Sequence, residues 1–251
     1  MLINKFTKKK NGQYEIELEN DEKIVVHEDL ILKYNLLINK KINDKEKENI
    51  LNENTLYIAR DKAIKYVSTK MRSIKELESY ILDNDIDKTL VIKIIKELKE
   101  KKYLDDALYT KAFINDKINL SNDGPYKIAR DLEKKGVVHE TIWDIMKIFD
   151  DSIQIEKITK LVNKFKKSNK NKSAMMLKNK IVNYLTNLGY EKSIVISCIE
   201  KEKIDIDSNI IKKEYEKVYK KVSKKYEGKE LEYKIKEKMY SLGFNDYTID
   251  N

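Results

Sequence analysis

The sequence predicts an all-α protein of tandem three-helix repeats in an elongated array, preceded by a small β-meander. Its 251 residues are rich in Lys, Glu, Leu, Ile and Tyr, with six glycines and one proline, which favours helices over a turn-rich all-β fold. Apolar residues follow helical spacing from residue 44 onward. A pattern of apolar residues and glycines also recurs at intervals of 51 to 54 residues.

The first 43 residues differ from the rest of the chain. Residues 14–18 alternate apolar and polar side chains after an Asn-Gly turn signal, and a second short apolar run follows at residues 24–26. These features predict a two- or three-stranded antiparallel meander. So small a sheet is marginal alone, and we expect it to pack on a neighbour. A short helix should begin at Glu28.

The remainder of the chain is predicted to be helical. We expect helices at about 44–70, 73–83, 87–101, 105–120, 125–135, 139–150, 152–169, 174–188, 191–203, 208–226 and 229–242. The expected domains are the meander with its short helix (1–43), three repeats (44–104, 105–151 and 152–204) and a diverged C-terminal repeat (205–251).

Each repeat is marked by an apolar anchor residue, with further apolar residues nine and five positions before it and five after it. The four anchors are Ile86, Val137, Tyr190 and Phe244. The residues directly before them are Asp85, Gly136, Gly189 and Gly243. A glycine there can end the helix in the left-handed conformation, with aspartate a tolerable substitute, so that the anchor folds back on the completed helix. Such units bury their apolar faces on their neighbours.

The only proline opens the middle helix of the second repeat. Pro125 follows Gly124, and a proline at the first helical position loses only an amide that the helix leaves unpaired. Ser73 stands at the matching position of the first repeat and can cap its helix. The third and fourth repeats have Leu177 and Glu230 there, which marks them as diverged.

These motifs resemble the RecX family of RecA regulators. The resemblance is carried by Arg72-Ser73 with Leu77, by Leu104-Asp105-Asp106 with Phe113, and by Gly124-Pro125 with Ile128, Leu132 and Lys135-Gly136-Val137. It is specific over residues 55–150 and looser towards the C-terminus. The family often has an arginine where this chain offers Lys117, and usually a glycine at the position of Asp85.

The resemblance implies a non-enzymatic protein that binds the RecA filament on single-stranded DNA. It would bridge RecA protomers along the filament groove, contact DNA directly, and lower the ATPase, strand-exchange and co-protease activities of RecA. We expect a cytoplasmic monomer with no cofactor, no metal and no membrane partner. The absence of any apolar run near the roughly 20 residues of a membrane span fits this expectation.

Six basic residues are candidate contacts with RecA or DNA. Only three of the 52 basic residues are arginines, whose planar guanidinium can bind carboxylates or phosphates in a bidentate manner. A structural salt bridge between repeats is an equally good explanation for each. Lys127, Arg130 and Lys134 share one face of the Gly-Pro helix. The candidates are Arg60, Arg72, Lys117, Lys127, Arg130 and Lys134.

An alternative function is nucleic-acid binding that does not need RecA. Residues 151–251 carry 23 basic and 15 acidic side chains, and nine lysines with no acid lie between Lys157 and Lys180, a charge that attracts polyanions or solubilises the surface. Four tyrosines recur every seven residues among the later lysines, at positions 219, 226, 233 and 240. This spacing fits base stacking but favours a core stripe. A generic protein scaffold is the third hypothesis.

No catalytic constellation is evident in the sequence. The two histidines, His27 and His139, have no metal-ligand spacing and suit surface or capping positions. Cys198 lies in an apolar run, which predicts a buried, inert thiol. Asp105-Asp106 is typical of a helix N-terminus.

Overall fold

The computed structural model confirms an all-α fold with a small N-terminal meander. It describes residues 1–84, 86–169, 173–202 and 208–244, and these form three strands and twelve helices. The chain divides into two compact units. The first comprises Met1–Thr110 and Lys134–Val138, and the second comprises Lys111–Glu133 and His139–Asn251. The division into five domains stays a prediction.

The N-terminal meander is a three-stranded antiparallel sheet. Its strands are β1 (Ile3–Lys8), β2 (Gln13–Leu18) and β3 (Lys23–His27), in that order. Ile16 lies opposite Phe6 on one side and Ile24 on the other, so the apolar side chains of the three strands share one face. Two helices, α1 (Glu28–Lys33) and α2 (Asp44–Thr69), pack against β3. The expectation that the meander needs a neighbour is confirmed.

The remaining helices follow the predicted positions closely. They are α3 (Ile74–Leu82), α4 (Lys88–Glu100), α5 (Asp106–Leu120), α6 (Pro125–Lys134), α7 (His139–Met146), α8 (Asp151–Ser168), α9 (Ala174–Asn187), α10 (Lys192–Lys201), α11 (Ser208–Val222) and α12 (Gly228–Ser241). The largest differences are at α7 and α11, which each end four residues earlier than predicted.

The repeat pattern corresponds to buried positions. The anchors Val137, Tyr190 and Phe244 are buried, and Ile86 is half-buried against the core of the first repeat. The apolar residues nine and five positions earlier are also buried; they are Leu77, Ile81, Ile128, Leu132, Ile181, Leu185, Ile235 and Met239. The glycines before the last three anchors have φ values of 82°, 90° and 78°, which confirms the left-handed helix ends. Asp85 and Ile249 lie outside the described residues.

The prediction of a tyrosine core stripe is wrong. Tyr219, Tyr233 and Tyr240 are 45%, 66% and 66% exposed, and only Tyr226 packs against the core of the last repeat. Aliphatic residues one or two positions away occupy the buried faces of α11 and α12. The helix is also interrupted between Val222 and Gly228, so a seven-residue period does not follow a single helix face across it.

Candidate functional site

The helix α6 is held at its start by the end of α9. The N–H of Gly124 donates to the carbonyl of Leu188 at 2.6 Å, and the N–H of Tyr126 donates to the carbonyl of Gly189 at 3.0 Å. A Cβ atom at Gly189 would lie 2.4 Å from the backbone nitrogen of Lys127. The two backbones therefore meet directly, and only glycine leaves room for this contact.

The residues that follow α6 make an equivalent joint within the first unit. The hydroxyl of Ser73, at the start of α3, donates to the carbonyl of Lys135 at 2.6 Å and accepts from the N–H of Glu76 at 3.1 Å. Gly136 packs against the side chain of Lys75. The sequence predicts the capping role of Ser73 but not its second hydrogen bond. The recurrence of glycine at one repeat position was the available signal.

A third joint occurs at the start of α9. A Cβ at Gly243 would lie 2.5 Å from the hydroxyl of Ser173, which caps α9 by accepting from the N–H of Met176. In all three joints the glycine that ends a later helix packs against the residues that begin an earlier one. These glycines thus pack against the starts of earlier helices as well as ending their own.

The outer face of α6 carries the exposed basic candidates. Ile128 and Leu132 are fully buried, whereas Arg130 and Lys134 are exposed. Among the described residues, Arg130 takes part in no ion pair. The predicted arrangement, with basic residues on one face and apolar residues opposite, is confirmed for these positions. Lys127 differs because its ammonium lies 2.6 Å from a carboxylate oxygen of Asp123.

Asp123 brings two of the predicted contact residues into an internal network. Lys117 lies 2.7 Å from Asp123 and 3.6 Å from Asp131. Burial alone would raise the pKa of Asp123, but hydrogen bonds from Lys117 and Lys127 outweigh burial and lower the pKa below its usual value. The same bond raises the pKa of Lys117. These two lysines hold the loop before α6 in place.

Arg60 is engaged within the first unit. Its guanidinium lies 2.9 Å from a carboxylate oxygen of Asp29 and 4.6 Å from the ring centroid of Tyr57. Burial would lower the pKa of Arg60, but the hydrogen bond to Asp29 and the nearby charge of Glu97 raise it. The contact joins α1 to α2, which favours the structural explanation for this arginine.

Arg72 covers a pair of stacked tyrosines. Its guanidinium carbon lies 4.1 Å from the ring centroid of Tyr66, which stacks on Tyr80 at 4.0 Å. A cation over an aromatic face contributes on the order of 0.5–2 kcal/mol. Because the side chain is half-buried, the geometry favours a structural role at the contact of α2 with α3.

The lysine-rich segment is partly engaged in structure. The ammonium of Lys157 donates to the backbone carbonyls of Ile118 and Ser121, and burial lowers its pKa. Lys166 donates to the carbonyl of Glu202. Lys157 and Lys166 are therefore engaged by the backbone, and their ammonium groups are less accessible to a polyanion than the sequence implies.

The described residues hold no cluster of the kind that binds metals. No group of three or more His, Cys, Asp and Glu side chains there is arranged to hold a metal ion. His27 caps α1 and its Nε2 lies 2.7 Å from Asp61, so the capping prediction is confirmed for this histidine. Cys198 is buried as predicted, and burial raises the pKa of its thiol. None of the helices in these parts of the chain combines the length and hydropathy of a membrane span.

The fold and the joints define a tandem helical-repeat protein with a basic helix face. A family model described as the second three-helix domain of RecX matches residues 105–143. "Regulatory protein RecX" of Streptococcus mutans is 32% identical over 258 residues, which cover 100% of this chain and 98% of that protein. "Regulatory protein RecX" of Streptococcus pneumoniae serotype 19F is 33% identical over 98% of this chain and 95% of its own length. The chain belongs to the RecX family.

Two solved structures are similar in fold. "Crystal structure of regulatory protein RecX" has a TM-score of 0.69 at 24% identity, over 80% of this chain and 99% of that chain. "Crystal structure of RecX from Lactobacillus salivarius" has a TM-score of 0.57 at 26% identity, over 59% of this chain and 96% of its own. The relatives are named as regulatory proteins rather than as enzymes.

Proposed function

We propose that this chain binds the RecA filament on single-stranded DNA and lowers its ATPase, strand-exchange and co-protease activities. The observation that carries the proposal is the similarity to regulatory RecX proteins over the whole chain. Stacked helical repeats suit this role because they present long surfaces to an extended partner.

Within this function, we assign the primary contact to the outer face of α6. Arg130 is exposed and offers a fork of donors that matches the carboxylates of RecA or the phosphates of DNA. Lys134 lies one turn further along the same helix. Lys117 and Lys127 support this face through Asp123, whereas Arg60 and Arg72 act by holding the first unit together.

The test measures ATP hydrolysis by RecA on single-stranded DNA with substoichiometric amounts of this protein. We expect hydrolysis to fall, and the R130A/K134A variant to need about tenfold more protein for the same effect. The matched control is K220A/K224A, which removes two exposed lysines of α11 and its following turn and should behave as the wild type. Unchanged hydrolysis together with no co-sedimentation with filaments would contradict the proposal.

A second candidate function is binding of single-stranded nucleic acid without RecA. The observation that favours it is the row of Lys229, Tyr233, Lys236 and Tyr240, which are all exposed and share one side of α12 by their helical spacing. Tyrosine rings can stack on bases while lysines contact phosphates, each stacked base contributing about 1–3 kcal/mol.

The two candidate functions are separated by a binding assay with labelled oligo-deoxythymidine alone. If the second is correct, Y233A/Y240A weakens binding by at least about 1 kcal/mol, and K229Q/K236Q lowers the salt dependence by about one charge per lysine. Y219A is the matched control, since this exposed tyrosine lies on the other helix. Weak binding at moderate salt that is the same for all variants would rule this function out.

A further inference from the structure

An exposed aliphatic groove lies beside the first strand of the N-terminal sheet. Leu32, Leu37 and Ile38 are 81%, 59% and 58% exposed within a seven-residue stretch. Together with Phe6 and Tyr14 they line one groove on the first unit. Clustered aliphatic side chains on a protein surface mark an interaction site more often than scattered ones do.

The groove adjoins an open sheet edge. Residues 39 and 40 cover the start of the outer edge of β1. The N–H of Ile3 donates to the carbonyl of Lys40 at 3.0 Å, and the N–H of Asn39 donates to the carbonyl of Ile3 at 2.8 Å. Among the described residues, the rest of β1 pairs only with β2. Since the N–H of Lys9 donates to Gln13, the alternation of the ladder directs the N–H groups of Phe6 and Lys8 outward.

The charge of this edge indicates what can pair with it. The first ten residues carry four lysines and no acid, and Lys5, Lys8, Lys9 and Lys10 are exposed. Lys9 is paired with Glu15 of β2 at 3.0 Å, so the excess positive charge of the edge comes from the other three. A second copy of β1 would bring like charges together across the new pair, which is unfavourable. An acidic strand has the opposite charge. The groove lining also includes two acids, Glu28 and Asp29, of which Asp29 is paired with Arg60. The acidic side chains of the segment must therefore lie on the other face of its strand.

We propose that the outer edge of β1 and this groove bind an extended segment of a partner protein in which apolar and acidic residues alternate. The backbone of the segment pairs with Phe6 and Lys8 and extends the sheet by one strand. Successive side chains of a strand face opposite sides. The apolar set therefore enters the groove on the Phe6 side, and the acidic set lies on the face of Lys5, where it would compete with Glu15 for Lys9.

The experiment uses the full-length chain and a labelled synthetic peptide of alternating valine and glutamate, measured by fluorescence anisotropy. We expect saturable binding that weakens about tenfold for L32S, whose substitution at an exposed position leaves the fold intact. The same peptide with N-methyl groups on alternate amides cannot pair with a strand edge and should bind at least about tenfold more weakly.

A pair of variants at Lys8 separates hydrogen bonding from charge. K8P removes the outward N–H and the charge, whereas K8Q removes only the charge. We expect K8P to weaken binding more than K8Q, with melting temperatures that differ little because an edge strand tolerates proline where its N–H faces solvent. Equal binding of the methylated and unmethylated peptides, no effect of L32S, or no peptide binding at all would overturn the proposal. A stable dimer of the wild type that L32S dissociates would overturn the choice of partner.

Discussion

The two joints at the ends of α6 solve the same packing problem by different means. At its start, backbone meets backbone, with Gly124 bonded to Leu188 and glycine on both sides. Beyond its end, a side chain makes the bond, since the hydroxyl of Ser73 donates to the carbonyl of Lys135. A Cβ at Gly136 would meet the side chain of Lys75, at 2.4 Å from its Cδ and 2.5 Å from its Cβ. At the backbone joint the nearest atoms are all fixed by the main chain of Lys127, whereas at the side-chain joint the Cδ of Lys75 can move and only its Cβ is fixed.

Each joint is also reinforced by an acid. Glu76 pairs with Lys135 across the Ser73 joint at 2.7 Å, while Asp123 pairs with Lys117 and Lys127 on its own side of the other joint. We therefore expect substitutions at the Gly189 joint to destabilise the fold more than substitutions at the Ser73 joint.

The largest effect is expected for G189A. The new methyl group would lie too close to the backbone of Lys127, and the φ of 90° at residue 189 is unfavourable for alanine. Together these should lower the free energy of unfolding by about 2–5 kcal/mol. G136A should cost somewhat less, because the Cδ of Lys75 can move aside and only its Cβ, at 2.5 Å, is held by the backbone. The matched control is G228A, where φ is also positive but no atom lies within 4 Å, with an expected loss of about 1–2 kcal/mol. Equal losses for the three variants in urea unfolding would contradict the comparison.

A smaller effect is expected for S73A. This variant loses both the cap of α3 and the hydrogen bond to the Lys135 carbonyl, at a cost of about 2 kcal/mol. S173A, which removes the corresponding cap of α9, should lose only about 1 kcal/mol. Thermal unfolding of the two variants measures the difference. If S173A lowers the melting temperature as much as S73A, the hydrogen bond from Ser73 to the Lys135 carbonyl makes no separate contribution to stability.

The acids at the joints should make stability depend on pH. The pKa of Glu76 is lowered, since the bonds to Lys135 and to the N–H of Ser73 outweigh the raising effect of burial, and that of Asp123 is lowered as described. A lowered carboxyl pKa stabilises the folded state above the unfolded value of about 4, and this contribution is lost as pH falls below it. Urea midpoints should therefore decline from pH 5 to pH 3, less steeply for D123N and E76Q. An unchanged slope in both variants would contradict this.

The smallest effect on stability is expected for R130A. Because the side chain is exposed and forms no ion pair among the described residues, the free energy of unfolding should change by no more than about 0.5 kcal/mol. R60A should lose about 1–2 kcal/mol, since both the ion pair with Asp29 and the contact with the Tyr57 ring are lost. The free energies of unfolding of the two variants, measured by chemical denaturation, distinguish Arg130, which is available for binding, from Arg60, which stabilises the fold. A large loss for R130A would place it in the second class.

The helices and their buried faces follow from local rules. Helical spacing identified Ile128 and Leu132 as buried, and the steric freedom of glycine identified the left-handed ends at Gly136 and Gly189. Ser73 was recognised as a cap because serine side chains satisfy the free amides of a helix start. Each of these predictions depends on residues close together in the chain, and each is confirmed.

The candidate site could be predicted only in part. Six basic residues were singled out, yet Lys117, Lys127 and Arg60 pair with acids that the chain brings to them. The seven-residue period of the tyrosines in the last repeat predicts a core stripe. The prediction fails because the helix is interrupted between Val222 and Gly228. The spacing of residues along a helix shows which side chains share a face. It does not show which acid will pair with a basic residue or where the helix ends.

The sequence by itself determined the repeats, their helices, the family and the charge, since these depend on composition, on periodicity and on motifs of a few residues. Only the tertiary structure decided why glycine recurs before three of the four anchors, which basic candidates pair with acids, and that an aliphatic groove lies beside an open strand edge. The physical reason is distance along the chain. Gly124 and Leu188 are 64 residues apart in sequence but share a hydrogen bond, and such contacts are set by the packing of whole repeats.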